Sequence, residues 1–155
     1  MKLSLDISVL STLWRRLPRA IVACVAESGI EAGEGAEVSL CLADDRRLRA
    51  LNARWRGVDR PTNVLSFPAA PSERRDGTST LGDIALAFET LAREAEDLGA
   101  PLADHYRHLI AHGFLHLLGH DHRTDEEAGR MEALETRILA RLRVADPYAR
   151  GVVDA

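Results

Sequence analysis

Three histidines and a glycine constrain this chain more than any other feature: His112, His116, Gly119 and His122 stand in the pattern H-x-x-x-H-x-x-G-x-x-H. The four-residue step places His112 and His116 one turn apart on the same face of a helix. Gly119 follows three residues after His116, where a residue of positive φ can end that helix. The chain then doubles back, and His122 supplies a third ring nitrogen from outside the helix axis.

The spacing matches the metal-ligand pattern of the metzincin proteases, H-E-x-x-H-x-x-G-x-x-H, at all three histidines and at the glycine. Three neutral imidazoles with a fourth position left to water describe a catalytic zinc site, whereas structural sites are closed by four protein ligands. Zinc there lowers the pKa of its water to about 7. One ion per chain is expected. Gly113, however, stands where a metalloprotease carries its general-base glutamate. His108, His112, His116 and His120 share one helical register, but a straight helix would spread them over about 18 Å at 1.5 Å per residue. The break at Gly119 therefore favours His112, His116 and His122, with His108 lining the pocket and His120 as the alternative third ligand.

Around this segment the chain alternates between two periodicities. Residues 2–9, 37–42, 63–67 and 84–88 read as strands. Pro61 and Pro68 bracket the third and suit an edge position. Helices are predicted over 10–27, kinked or split in two at Pro18, and to about Trp55 behind a cap offered by Ala43-Asp44-Asp45. Three more follow at 89–98, 101–118 and 124–143, the last with Met131, Leu134, Ile138, Leu139 and Leu142 on one apolar face. Residues 71–80 (PSERRDGTST) form a polar loop, the best candidate for mobility, and the tail 144–155 is expected to fray. The expectation is α+β: a single domain over 1–155, with about four strands in a mixed sheet and about five helices.

With 155 residues, 46% of them hydrophobic, the chain has enough apolar material for one core, so a metal is not needed merely to fold it. No apolar run approaches the ~18–20 residues that span a bilayer, the N-terminus does not read as a signal peptide, and no membrane partner is expected. Cys24 and Cys41 lie in apolar surroundings and read as buried free thiols. These features point to the cytoplasm.

The net charge of −4 argues against a general nucleic-acid-binding domain. Locally the balance reverses: between Asp44 and Arg60 six arginines face three acids.

Two long motifs then resemble those of one family. HGFLHLLGHDH is similar to the signature H-G-x-L-H-L-x-G-Y-D-H of the YbeY family, bacterial endoribonucleases of ribosomal RNA maturation. RGVDRPTNVLSFP, from Arg56 to Pro68, resembles its R-G-x-D-K-P-T-N-V-L-S-F-P, and Gly82-Asp83-Ile84 falls between the two in the same order. The resemblance implies zinc on His112, His116 and His122 and a catalytic Arg56 held near the metal, where a guanidinium can grip phosphoryl oxygens bidentately. It implies single-stranded ribosomal RNA as substrate, with the small ribosomal subunit or assembly proteins as partners and no DNA. Arg46, Arg49, Arg56 and Arg60 are the residues to line a basic cleft. His120 stands where the signature has Tyr, and Arg60 where it often has Lys. Asp121, His120 and a zinc-bound hydroxide acting unaided all stay open as the base. The other readings are a peptidase without its glutamate, and a non-enzymatic ribosome assembly factor whose zinc holds the helix end.

Overall fold

Alternating burial along Glu37–Ala43 sets the architecture: Val38, Leu40 and Leu42 point into one core, Ser39 and Cys41 to the other face. The computed structural model describes residues 4–14, 37–69 and 80–150. Its strands are β1 (Ser4–Val9), β2 (Glu37–Ala43), β3 (Val64–Pro68) and β4 (Thr80–Ala87). They form one sheet in the order β1-β2-β4-β3, parallel except for β3, which runs antiparallel to β4. The proline-bracketed segment is thus an edge strand. The helices are α1 (Asp45–Arg56), α2 (Phe88–Leu98), α3 (Leu102–Leu117) and α4 (Asp125–Arg141), followed by a short 3-10 turn at Pro147–Arg150.

Four strands in a mixed sheet with packed helices bear out the α+β expectation. The larger core joins Leu40, Leu42, Ile84, Leu86 and Val64 of the sheet to Leu109, Ile110, Phe114 and Leu117 of α3 and Met131, Ile138 and Leu139 of α4. Leu65, Ala85 and Ala87 face the opposite side and meet Leu48 of α1. Of the Ala43-Asp44-Asp45 stretch, Asp44 caps α1, its carboxylate accepting from the Arg47 backbone N–H at 2.9 Å.

Two local readings differ. Residues 11–14 form a turn rather than the start of a helix. The Trp14 side chain is buried there, its indole N–H donating to the Ala43 carbonyl at 2.7 Å and its ring packed against Phe88 and Tyr106. Satisfying that buried donor decides the local backbone, not the spacing of the apolar residues. The remainder of the predicted 10–27 helix, Cys24, the 70–79 part of the polar loop and residues 151–155 lie outside the described residues. At the other end, Val144 is buried and Tyr148 hydrogen-bonds into the interior, so the segment expected to fray packs back onto α4 as far as the turn at Pro147–Arg150. Cys41 is half-buried, and burial raises its thiol pKa.

Candidate metal centre

The end of α3 is built by its glycine. Gly119 takes φ +98°, its N–H bonds the His116 carbonyl, and the His120 N–H reaches back to the Leu115 carbonyl, both at 3.0 Å. This paired closure is the Schellman arrangement. It turns the chain sharply and sets residues 120–122 beside the last turn of the helix. The ring nitrogens of His112, His116 and His122 come within 4.8 Å of one another. The structure thus brings together the three histidines picked from their spacing. His120 stays outside that group; its contribution is its backbone carbonyl, 3.0 Å from His116 Nδ1.

Hydrogen bonding fixes which nitrogens are free. His116 Nδ1 faces a carbonyl, which only accepts, so the proton is on Nδ1 and the Nε2 lone pair is open. His112 Nδ1 faces Glu135 Oε1 in the same way. The two Nε2 atoms then confront each other at 3.0 Å. Two lone pairs at that distance repel unless they share a positive centre, so the donor set fits a cation of the kind imidazole binds. Burial, followed by the neighbouring His112, lowers the His116 pKa and so favours its neutral form. His122, the third, is exposed and leaves its side of the site open to solvent.

Glu135 is the residue that motif reasoning missed. It is fully buried in α4 and receives His112 through Oε1, and His108 (3.1 Å) and the Tyr148 hydroxyl through Oε2. Burial pushes its pKa up, but the hydrogen bonds from His108 and His112 outweigh it and hold the carboxyl at about 2. A carboxylate behind a metal-binding histidine fixes its tautomer and raises its basicity. A signal was present: Glu135 stands among Met131, Leu134, Ile138, Leu139 and Leu142, where a lone charge interrupts an apolar stripe. His108 is accordingly a partner of Glu135. Asp121 is a poor base as placed. One oxygen accepts from the His122 backbone N–H at 2.8 Å and the other pairs with Arg123 at 2.9 Å. Those contacts, the hydrogen bond first, hold its pKa below the usual carboxylate value.

Gly113 has a packing role. A Cβ there would lie 3.1 Å from Ile84 Cγ2 and 3.2 Å from Ser66 Oγ, because α3 rests directly on the sheet at this point. Ser66 Oγ donates to the Gly113 carbonyl at 3.3 Å. The position that carries a peptidase's base here points at β3 and β4, so the missing glutamate reflects the packing of the helix.

Arg56 ends α1, exposed, and lines a cavity of about 350 Å³ with Asn52, Arg60, Asn63, Thr90 and Glu94 among others. None of the three histidines lines it. Glu94, half-buried, is tied from there to the buried His105 (3.0 Å) and to Asn63 (3.1 Å), a second histidine–carboxylate pair that spacing did not reveal. Of the other arginines named for a basic cleft, Arg60 shares this cavity, whereas Arg49 is neutralised by Asp59 at 2.8 Å.

Comparison with known proteins agrees along the chain's length. Residues 6–143 match the profile of a family described as Endoribonuclease YbeY. A relative of that name from Bradyrhizobium diazoefficiens is 48% identical, over 93% of this chain and 84% of its own. Another, from Nitrobacter hamburgensis, is 49% identical over 93% of this chain and 81% of its own. The solution structure of TM1509 from Thermotoga maritima superposes with a TM-score of 0.53, covering 92% of both chains at 20% identity, a likeness of fold.

Proposed function

The chain belongs to the YbeY endoribonuclease family, and from that premise we propose that it is a zinc-dependent endoribonuclease cutting single-stranded RNA in small-subunit ribosomal RNA maturation and ribosome quality control. The observation that carries the metal-dependent reading is the pair of Nε2 atoms of His112 and His116 facing each other at 3.0 Å, with His122 beside them. One zinc per chain on these residues would supply Lewis acidity, polarising a phosphoryl oxygen and making water a stronger acid at neutral pH.

The chain's own groups do the rest. Glu135 keeps His112 in the tautomer that presents Nε2, and the His120 carbonyl does so for His116. Arg56 is exposed with no carboxylate partner among the described residues, free to grip a phosphate of the substrate and stabilise charge that develops on it. The packing of Gly113 disfavours the peptidase reading. No helix among the described residues is long and apolar enough to cross a membrane. A cytoplasmic enzyme meeting the small ribosomal subunit or its assembly proteins fits this reading.

The test pairs elemental analysis with cleavage of a single-stranded oligoribonucleotide. Wild type carries about one zinc and cuts; His116→Ala does neither; Arg56→Ala keeps its zinc and cuts about 10²–10³-fold more slowly. A folded, metal-free wild type, or a His116→Ala protein as active as wild type, would remove the basis of the proposal.

A further inference from the structure

Helix α1 turns Leu48, Leu51 and Asn52 inward, and the same register continues to Trp55. Trp55 should therefore be packed, yet it is 62% exposed. It meets Phe67 of the edge strand at a ring-centroid distance of 6.2 Å and an angle of 61°, so the indole is braced from one side. The Arg54 guanidinium sits 5.2 Å from its ring centroid. A large aromatic kept in water where the helix register would bury it points to a ligand more than to folding.

Its surroundings identify the ligand's chemistry. Arg54, Arg56 and Arg60 lie within seven residues, and none has a carboxylate partner among the described residues. The nearby acid Asp59 is already neutralised by Arg49. Trp55 also lines a groove of about 800 Å³, whose lining includes Leu51, Phe67 and Pro68 and a single charged group, Asp83. The Arg54 guanidinium on the indole, Arg56 and Arg60 in the neighbouring cavity, and an apolar recess beside Trp55 suit a strand that carries phosphates and bare bases. A double helix, whose bases are already stacked, would not use the recess.

We propose that Trp55 is the platform on which one base of the RNA strand stacks, beside the phosphate gripped by Arg56; this rests on RNA being the substrate. The platform lies one residue of β3 away from the histidine helix. Phe67 faces Trp55, while Ser66, on the opposite face of the strand, bonds Gly113 next to His112. Trp55 and the histidine helix thus lie on either side of β3. Trp55 is a positioning residue, setting which nucleotide is presented for cleavage.

A short single-stranded 2′-O-methyl oligoribonucleotide, which resists cleavage, tests this by fluorescence anisotropy with the full-length protein. Trp55→Ala should bind about 10- to 100-fold more weakly, the loss of one stacked base. Trp55→Tyr should restore most of it, and the salt dependence should be unchanged because no phosphate contact is removed. Arg56→Ala should instead reduce the salt slope by about one. Trp55→Ala with wild-type affinity overturns the platform while leaving RNA as the substrate, and would mark the indole as a protein contact. Wild type that binds no RNA overturns the substrate reading and the platform with it. Because Trp55 is exposed, both variants should melt within a few degrees of wild type, which confirms that the fold is intact.

Discussion

Glu135 Oε1 receives His112 Nδ1 across 23 residues of chain, with the carboxylate wholly removed from solvent. The contact joins α4 to α3 at the point where the clustered histidines emerge. The orientation of His112 and the packing of the last helix are therefore coupled through one carboxyl group.

Replacing Glu135 with glutamine keeps the volume but removes the charge. Zinc affinity should fall about 10- to 100-fold, measured by competition with a chelating dye. Unchanged affinity would mean that His112 holds its tautomer without help from α4.

The same carboxyl predicts an acid limb in the metal-free protein. Its pKa in the fold is about 2 against an ordinary 4.5. The stabilisation is therefore complete above about pH 4.5 and disappears as pH falls toward 2, amounting to about 3 kcal/mol. Denaturant midpoints of the chelated protein should drop more steeply between pH 5 and pH 3 for wild type than for Glu135→Gln. Parallel curves would assign the acid sensitivity to other groups.

Tyr148→Phe removes the hydroxyl that donates to Glu135 Oε2. A cost of about 1 kcal/mol in stability is expected, with a smaller loss of zinc affinity than in Glu135→Gln. Unfolding curves and the same dye competition read both effects. A variant as stable as wild type would show that the Pro147–Arg150 turn contributes nothing to this network.

Gly113→Glu restores the metalloprotease motif on paper. In the fold it drives a side chain into Ile84 and Ser66. Stability should fall by at least about 1–3 kcal/mol, and no peptide in a broad library should be cleaved. Appearance of zinc-dependent peptidase activity would contradict the packing explanation of this glycine.

Chelation should leave the protein folded, because the larger core, built from β2–β4, α3 and α4, does not depend on the ion. Zinc at a hundredfold excess over its dissociation constant should add about 2.7 kcal/mol, seen as a rise in melting temperature. His122→Ala, altering an exposed ligand, should abolish that rise while leaving the metal-free melting point unchanged. A variant that unfolds instead would favour a structural role for the metal.

Local chemistry alone determined much of this protein. Periodicity placed the four strands and the helices from Asp45 onward, because a residue's face is set within a turn or a pleat. Prolines 61 and 68 marked β3 as an edge, since a ring without an N–H cannot serve a central ladder. The histidine spacing and Gly119 announced the cluster of His112, His116 and His122 because these residues are close in sequence and share one helix end. Only the tertiary structure decided what lies across from them. Glu135 reaches His112 from another helix, Tyr148 reaches Glu135 from the chain's last turn, and Trp14 leaves its helical register to bond Ala43. Arg56 lines its own cavity with Glu94, which pairs with His105 behind it, and Gly113 owes its identity to the sheet beneath it. These contacts join residues far apart in the chain, where no periodicity operates and the only local trace is a residue out of character with its neighbours, such as a glutamate in an apolar stripe or an indole left in water.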